Sequence, residues 1–126
     1  MNSWAAVTGG TSGIGYEFAK QLAQRNFNIV LIARNPNKLN QRAKELETTY
    51  KVQVQTIEAD FTKNTNVEFY EKIVEKLNKL DLSIMVNNVG QKVNRLVDHS
   101  PEDIRDMVIT NTLPQTMFTK LLIEKF

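Results

Sequence analysis

The sequence of 126 residues predicts an α/β fold in which helices cover both faces of a parallel β-sheet. Short apolar runs alternate along the chain with longer amphipathic segments, as expected for strands joined by crossover helices. A glycine-rich turn follows the first apolar run, and polar residues end the others. The expected element order is β-α-β-α-β-α-β-α-α, and right-handed crossovers then favour the strand order 3-2-1-4.

Four short apolar runs are the predicted strands. Because both faces of a central parallel strand are buried, such a strand needs no alternation of apolar and polar residues. The runs are Trp4–Val7, Ile29–Ala33, Val52–Ile57 and Leu82–Val86. The sequence therefore predicts one sheet, truncated after the fourth strand and the helices that follow it.

The segments between these runs carry apolar residues at helical spacing. In the first segment Ile14, Phe18 and Leu22 recur at i, i+4 and i+8 and should form the buried stripe. Asn35-Pro36 and Ser100-Pro101 predict helix starts, since each pairs a capping side chain with a proline suited to the first turn. The apolar residues of the later helices are Leu39, Ala43, Leu46, Val67, Tyr70, Ile73, Val74, Leu77, Met107, Val108, Met117, Phe118, Leu121 and Leu122.

The composition excludes several kinds of site. The chain contains no cysteine, which rules out disulfides, thiolate metal sites and cysteine nucleophiles. The single histidine, His99, lies in a polar stretch without converging carboxylates, so we expect an exposed side chain and no metal site. The net charge of +2 is small and the basic residues are scattered, which argues against nucleic-acid binding. No apolar run approaches the ~20 residues that span a bilayer.

The strongest local signal is the glycine-rich segment Thr8–Gly15, which follows the first strand and opens the first helix. A strand-to-helix turn directs free backbone N–H groups and the positive end of the helix dipole at one point, which suits a pyrophosphate. Gly9 should permit the turn, Gly13 should let phosphates approach the backbone, and Gly15 should let helix and strand pack closely. The binding residues predicted here are Gly9, Thr11, Ser12, Gly13, Ile14 and Gly15.

A cofactor-selecting residue is expected at the end of the second strand, about 20 residues beyond the glycines. An acidic residue there would bond the ribose of NAD, whereas this chain has Arg34, whose guanidinium can pair with a 2′-phosphate. Lys38, one turn into the next helix, adds a second positive charge. These two residues predict NADP(H) as the cofactor.

The third predicted strand ends at Asp60 and Phe61. The Asp60 carboxylate is placed to bind the adenine amino group, and the backbone of Phe61 is placed to meet the edge of the ring. The spacing equally allows Asp60 to be the N-cap of the next helix.

Together with Thr8–Gly15, Arg34 and Asp60-Phe61, the run Asn87-Asn88-Val89-Gly90 resembles the short-chain dehydrogenase/reductase family. The segment Trp4–Gly9 and the Asn-Asn-Val-Gly variant look closest to its hydroxysteroid dehydrogenase and very-long-chain 3-oxoacyl-CoA reductase branch. The resemblance extends from Trp4 to the end of the chain. It implies a Rossmann-type fold that binds a nicotinamide cofactor.

The resemblance also implies roles for individual residues. Asn87 would brace the centre of the sheet, while Asn88, Val89 and Gly90 would line the ribose and nicotinamide side of the cofactor. Asn111 would hold a water in the proton relay of the family. Pro114 lacks an N–H for the carbonyl four residues earlier, so we expect a kink that frees carbonyls for this water. A break between two helices at Asn111 and Pro114 is the alternative.

Enzymes of this family complete their site with a serine and a Tyr-x-x-x-Lys pair, in which the tyrosine donates a proton as hydride reaches the carbonyl carbon. Tyr16 and Lys20 match the spacing, but they lie in the first predicted helix and should pack there. We therefore expect residues 1–126 to be the NADP(H)-binding half of a Rossmann-type domain, inactive alone. The implied enzyme reduces steroid-like or long-chain acyl ketones. A non-catalytic nucleotide-binding or structural subunit of a larger assembly is the alternative.

The fourth strand of such a sheet is normally central, yet here it is predicted to lie at an edge with unpaired backbone groups. We therefore expect a protein partner that covers this edge and the last helix. The sequence as written predicts a soluble chain, and the family resemblance implies the endoplasmic reticulum.

Overall fold

A computed structural model describes residues 2–92 and 94–126 of the chain. Four strands form one sheet, namely β1 (Trp4–Thr8), β2 (Asn28–Ala33), β3 (Val54–Glu58) and β4 (Leu82–Val86). All neighbouring pairs are parallel and the order is β3-β2-β1-β4, which confirms the predicted topology. The helices are α1 (Gly13–Gln24), α2 (Pro36–Tyr50), α3 (Val67–Asn78) and α4 (Pro101–Leu122), with a one-turn 3₁₀ helix at Leu96–Asp98.

The sheet separates two hydrophobic clusters, because successive side chains of β1 and β2 point to opposite faces. Ala5 and Val7 of β1 join the cluster beneath α1 and α2, whereas Ala6 joins the cluster beneath α3 and α4. Helices therefore cover both faces, as predicted. Within the described residues no helix is long and apolar enough to cross a membrane.

The buried face of α1 differs from the predicted stripe by one position. Ile14 is 71% exposed and Phe18 is 48% exposed, so the expectation that these two residues are buried is wrong. The residues that face the sheet are Gly15, Ala19 and Ala23. Their small size lets α1 lie close to the strands, and this close approach outweighs the greater hydrophobicity of the neighbouring positions.

The chain after β4 contains one long α-helix where two were expected. Helix α4 runs without interruption through Pro114, so the alternative of a helix break at Asn111 and Pro114 is wrong. Pro114 is buried, and Phe118 packs into the core one turn later. The proline removes one backbone hydrogen bond from the helix interior, and α4 continues through it. The helix begins with a capping box between Ser100 and Asp103.

Candidate functional site

A cavity of about 350 Å³ lies at the carboxyl ends of all four strands. In open parallel sheets this edge, next to the point where the strand order reverses, is the usual place for a ligand. The cavity brings together nine of the predicted site residues: Gly9, Thr11, Ser12, Arg34, Lys38, Asp60, Phe61, Val89 and Gly90. The predicted residues that do not line it are Gly13, Ile14, Gly15, Asn87, Asn88 and Asn111.

The turn between β1 and α1 depends on its glycines. Gly9 and Gly13 have φ values of +62° and +55°, a region that side chains with a Cβ rarely adopt. A Cβ on Gly15 would collide with the carbonyl oxygen of Gly9. The packing role predicted for Gly15 is therefore confirmed, and α1 begins directly against the end of β1.

The first turn of α1 presents free N–H groups. No atom of residues 2–92 or 94–126 accepts a hydrogen bond from the N–H of Ser12, Gly13, Ile14 or Gly15. Ser12 is the N-cap, but its side chain does not cap the helix, and the first turn contains no acidic residue. The positive end of the helix dipole is therefore not neutralised from within the described part of the chain, which favours an anion beside this turn.

Two basic side chains also line the cavity. Arg34 follows β2 and is exposed, and Lys38 lies in the first turn of α2. The side chain of Asn35 caps this helix by accepting the N–H groups of Asn37 at 3.0 Å and Lys38 at 3.2 Å. The cap fixes the direction in which α2 leaves β2, so that both cations face one cavity. Neither forms an ion pair with another described residue.

Asp60 forms a local turn and does not cap a helix. Its Oδ1 accepts the N–H of Thr62 at 2.9 Å and the hydroxyl of Thr62 at 2.6 Å. Helix α3 begins later, and its N-cap is Asn66, so the capping alternative for Asp60 is wrong. Burial by itself raises the pKa of the Asp60 carboxyl, but the two bonds from Thr62 and the charges of Arg34 and Lys63 outweigh it and hold the pKa below its usual value.

Phe61, the next residue, is 3% exposed. Its ring stacks on Tyr70 at a centroid distance of 6.1 Å and meets Phe69 and Phe118 edge-on, each at 5.9 Å. This aromatic cluster supports the floor of the cavity from the side of α3 and α4. The side chain of Phe61 thus belongs to the core, and its backbone is the part placed for a ligand.

The asparagine that braces the sheet is Asn88. The prediction that Asn87 has this role is wrong by one residue. The amide nitrogen of Asn88 donates to the carbonyl oxygens of Thr8 and Gly9, each at 3.2 Å. Asn87 is exposed and borders a smaller cavity next to Phe126. Consecutive residues at a strand end point in opposite directions, which explains why only one of the pair faces β1.

Asn111 ties α4 to the segment that follows β4. Its Oδ1 accepts the N–H of Gln91 at 2.7 Å, and its Nδ2 donates to the carbonyl of Gln91 at 2.8 Å. Both polar groups of the Asn111 side chain are thus used to fix the loop beside Gly90. The water-holding role remains a prediction for this residue.

Sequence reasoning missed six residues that line the cavity: Ala33, Asn35, Ala59, Thr62, Gln91 and Thr110. Each is directly adjacent in sequence to a predicted site residue, and this adjacency is the signal that could have identified them. Thr110 is the least expected, since it is 4% exposed and its hydroxyl has no hydrogen-bond partner among the described residues.

The Tyr-x-x-x-Lys match on α1 is a packing feature, as predicted. The hydroxyl of Tyr16 donates to Glu45 of α2 at 2.7 Å, and the Lys20 ammonium lies 5.4 Å from the centre of the Tyr16 ring. His99, by contrast, is partly buried and its Nδ1 lies 3.6 Å from the Asp103 carboxylate, so its side chain is less exposed than expected. Within the described residues no group of histidine and acidic side chains is placed to hold a metal.

Comparison with known proteins shows the family of the chain. The sequence model of the family described as short chain dehydrogenase matches residues 3–126. The chain therefore belongs to the short-chain dehydrogenase family. A very-long-chain 3-oxoacyl-CoA reductase of Coprinopsis cinerea is 46% identical over 112 residues, which cover 86% of this chain and 33% of the relative. The human 17-beta-hydroxysteroid dehydrogenase type 3 is 39% identical over 127 residues, which cover 98% of this chain and 40% of the relative.

The fold also matches solved structures. A short-chain dehydrogenase from Sphingobium yanoikuyae, crystallised in complex with NADPH, superimposes with a TM-score of 0.86 at 26% identity. The match covers 98% of this chain and 48% of that protein. The chain thus spans between a third and two fifths of the two curated relatives named above and about half of this solved structure.

Proposed function

We propose that residues 1–126 are the NADP(H)-binding half of a Rossmann-type domain in a short-chain reductase. The observation that carries this proposal is that two anion-binding features meet at one cavity. Ser12, whose N–H has no acceptor among the described residues, lines the cavity at the start of α1. Arg34 and Lys38, which form no ion pair with a described residue, line the same cavity. A dinucleotide with a pyrophosphate and a separate 2′-phosphate fits this arrangement.

Within this cavity the residues have distinct roles toward the cofactor. The N–H groups of the first turn of α1 would bind the pyrophosphate, and Arg34 with Lys38 would bind the 2′-phosphate. The Asp60 carboxylate and the Phe61 backbone would meet the adenine. Val89, Gly90 and the backbone of Asn88 would border the nicotinamide side. The solved relative that contains NADPH supports this choice of cofactor.

The cofactor, when bound, supplies hydride to a ketone carbon. The residues of this chain would bind and orient it, and Asn111 would fix the loop at Gln91 beside the site. We propose that the serine, tyrosine and lysine that handle the proton are supplied by other sequence, so that residues 1–126 are inactive alone. The names of the relatives support steroid-like or long-chain acyl ketones as substrates.

We also propose that another protein surface covers β4 and α4. Strand β4 is at an edge of the sheet, and its residues Ile84, Met85 and Val86 are only half-buried, whereas β1 is buried throughout. Ile123 and Phe126 beyond α4 are each 60% exposed. Amide hydrogen exchange tests this proposal, because β4 should exchange more slowly in the native assembly than in the purified chain. Equal exchange would contradict it.

A non-catalytic nucleotide-binding subunit is the second candidate. The match to the Tyr-x-x-x-Lys spacing lies on α1, where Tyr16 is bonded to Glu45 and does not line the cavity, and both candidates are compatible with this placement. Activity assays of the native assembly on ketones separate the two candidates. NADPH oxidation that depends on a ketone supports the reductase, and nucleotide binding without turnover supports the subunit.

Comparison of NADPH and NADH binding tests the proposed cofactor. We expect Arg34→Ala to weaken NADPH binding by roughly 10- to 100-fold, because it removes a charge-assisted contact to the 2′-phosphate. Binding of NADH should change by less than about 3-fold. Lys44→Ala is the control, since Lys44 is an exposed cation on α2 that does not line the cavity. Equal losses for both cofactors, or none, would overturn the assignment.

A further inference from the structure

Arg42 joins α2 to the glycine-rich turn. Its Nε donates to the carbonyl oxygen of Thr11 at 3.0 Å, across 31 residues of sequence. Thr11 precedes the N-cap Ser12, so its carbonyl lies outside the hydrogen-bond ladder of α1, which begins with the bond from the Tyr16 N–H to the Ser12 carbonyl. The Thr11 carbonyl instead accepts the hydrogen bond from Arg42.

Arg42 is itself held from two sides. Its Nη1 pairs with Glu45 at 2.9 Å, and its guanidinium lies 4.3 Å from the centre of the Tyr16 ring. The Tyr16 hydroxyl donates to the same Glu45 oxygen at 2.7 Å, which closes the network. Burial, together with Glu45, raises the pKa of the Tyr16 phenol to about 12, so this donor keeps its proton at any physiological pH.

We propose that Arg42 is a positioning residue for phosphate binding, an assignment that rests on the proposed function. In a trans peptide the C=O and the next N–H point in opposite directions. The hydrogen bond to Arg42 turns the Thr11 carbonyl toward α2, and it therefore turns the N–H of Ser12 away from α2. Thr11 and Ser12 both line the cavity, whereas Arg42 does not. Arg42 acts on the ligand through this peptide plane.

The contact from Arg42 also preorganises the site. The Thr11–Ser12 peptide is fixed before the ligand arrives, which lowers the entropy cost of binding. Arg42 should therefore affect ligands that carry a pyrophosphate and spare ligands that reach only Arg34 and Lys38.

The test uses NADPH and adenosine 2′-monophosphate with the full chain, by calorimetric titration. Arg42→Lys retains the charge but cannot reproduce the guanidinium geometry, and we expect it to weaken NADPH binding by about 5- to 10-fold. Binding of adenosine 2′-monophosphate should stay within about 2-fold, which also shows that the variant is folded. Glu45→Gln provides a second variant, and it should weaken NADPH binding in the same direction by releasing Arg42.

The control variants distinguish a failure of the role proposed for Arg42 from a failure of the proposed function. Arg34→Ala should weaken both ligands, and Lys44→Ala should weaken neither. If Arg34→Ala behaves as expected but Arg42→Lys leaves NADPH unchanged, or weakens both ligands equally, the role of Arg42 is wrong and the proposed function stands. If the unmodified chain does not bind NADPH, the proposed function is wrong, and the role of Arg42 is wrong with it.

Discussion

Asn88 donates two hydrogen bonds to Thr8 across the end of the sheet. The Asn88 N–H donates to the Thr8 hydroxyl at 3.0 Å, and the Asn88 amide nitrogen donates to the Thr8 carbonyl at 3.2 Å. The hydroxyl also accepts the N–H of Val89 at 3.0 Å and donates to the carbonyl of Val86 at 3.3 Å. One buried side chain thus fixes the turn after β4 against the turn after β1.

Thr8→Val tests this arrangement, because it keeps the shape of the side chain and removes the hydroxyl. Two N–H groups lose their acceptor, so we expect a loss of about 2 to 3 kcal/mol in the free energy of unfolding. Thr56→Val on the exposed face of β3 is the control and should stay within about 0.5 kcal/mol. Denaturant unfolding measures both, and equal effects would show that the hydroxyl does not brace the sheet.

Gly15→Ala should be more damaging than Gly13→Ala. The new Cβ at Gly15 meets the Gly9 carbonyl oxygen, and the resulting displacement of α1 should cost about 3 kcal/mol. A Cβ at Gly13 has no atom within 4 Å, so that variant bears only the strain of positive φ, about 1 kcal/mol. Thermal unfolding of the two variants ranks them, and the reverse ranking would contradict the packing described here.

Tyr70→Phe should stabilise the protein. The Tyr70 hydroxyl is buried and has no hydrogen-bond partner among the described residues, and its burial raises the pKa of the phenol to about 12. Removing this group should raise the free energy of unfolding by about 1 kcal/mol. Tyr16→Phe is the comparison variant. It should lower the free energy of unfolding, because the hydrogen bond from the Tyr16 hydroxyl to Glu45 is lost. A destabilised Tyr70→Phe variant would show that the hydroxyl has a partner.

Because the pKa of the Asp60 carboxyl is lowered, we expect its contribution to the free energy of unfolding to be lost in acid. Its pKa is lower in the folded chain than in the unfolded chain, so its contribution is fully present above the unfolded value of about 3.9. The contribution is lost as the pH falls through the folded value. We expect the difference in unfolding free energy between the wild type and Asp60→Asn to be constant above about pH 5 and to shrink below about pH 4. A difference that is constant down to pH 3 would contradict this.

The topology could be predicted from the sequence because each strand is a separate apolar run and each crossover is long enough for a helix. The glycine-rich turn was also predictable, since Gly9, Gly13 and Gly15 have backbone and packing requirements that other residues do not meet. These signals are local. The place of Arg34 at the cavity was also predictable from a local signal, because it directly follows the end of β2.

The features that were not predicted depend on contacts distant in sequence or on a shift of one residue. Hydrophobicity alone favours Ile14 and Phe18 over Ala19 and Ala23 as the buried face of α1, although the small residues allow the closer approach. No local pattern decides which of two adjacent asparagines faces β1. The contact between Arg42 and Thr11 exists only after α2 has packed beside α1, so no spacing in the sequence indicates it.

The most direct test of the proposed NADP(H) site is a nuclear magnetic resonance titration of the full chain with NADPH and with NADH. We predict that NADPH shifts the backbone amides of Ser12–Gly15 and the signals of Arg34 and Lys38. NADH should shift the amides of the glycine-rich turn and leave the Arg34 side chain nearly unchanged. The proposed NADP(H) site is contradicted if NADPH leaves the turn unaffected, or if both cofactors shift Arg34 equally.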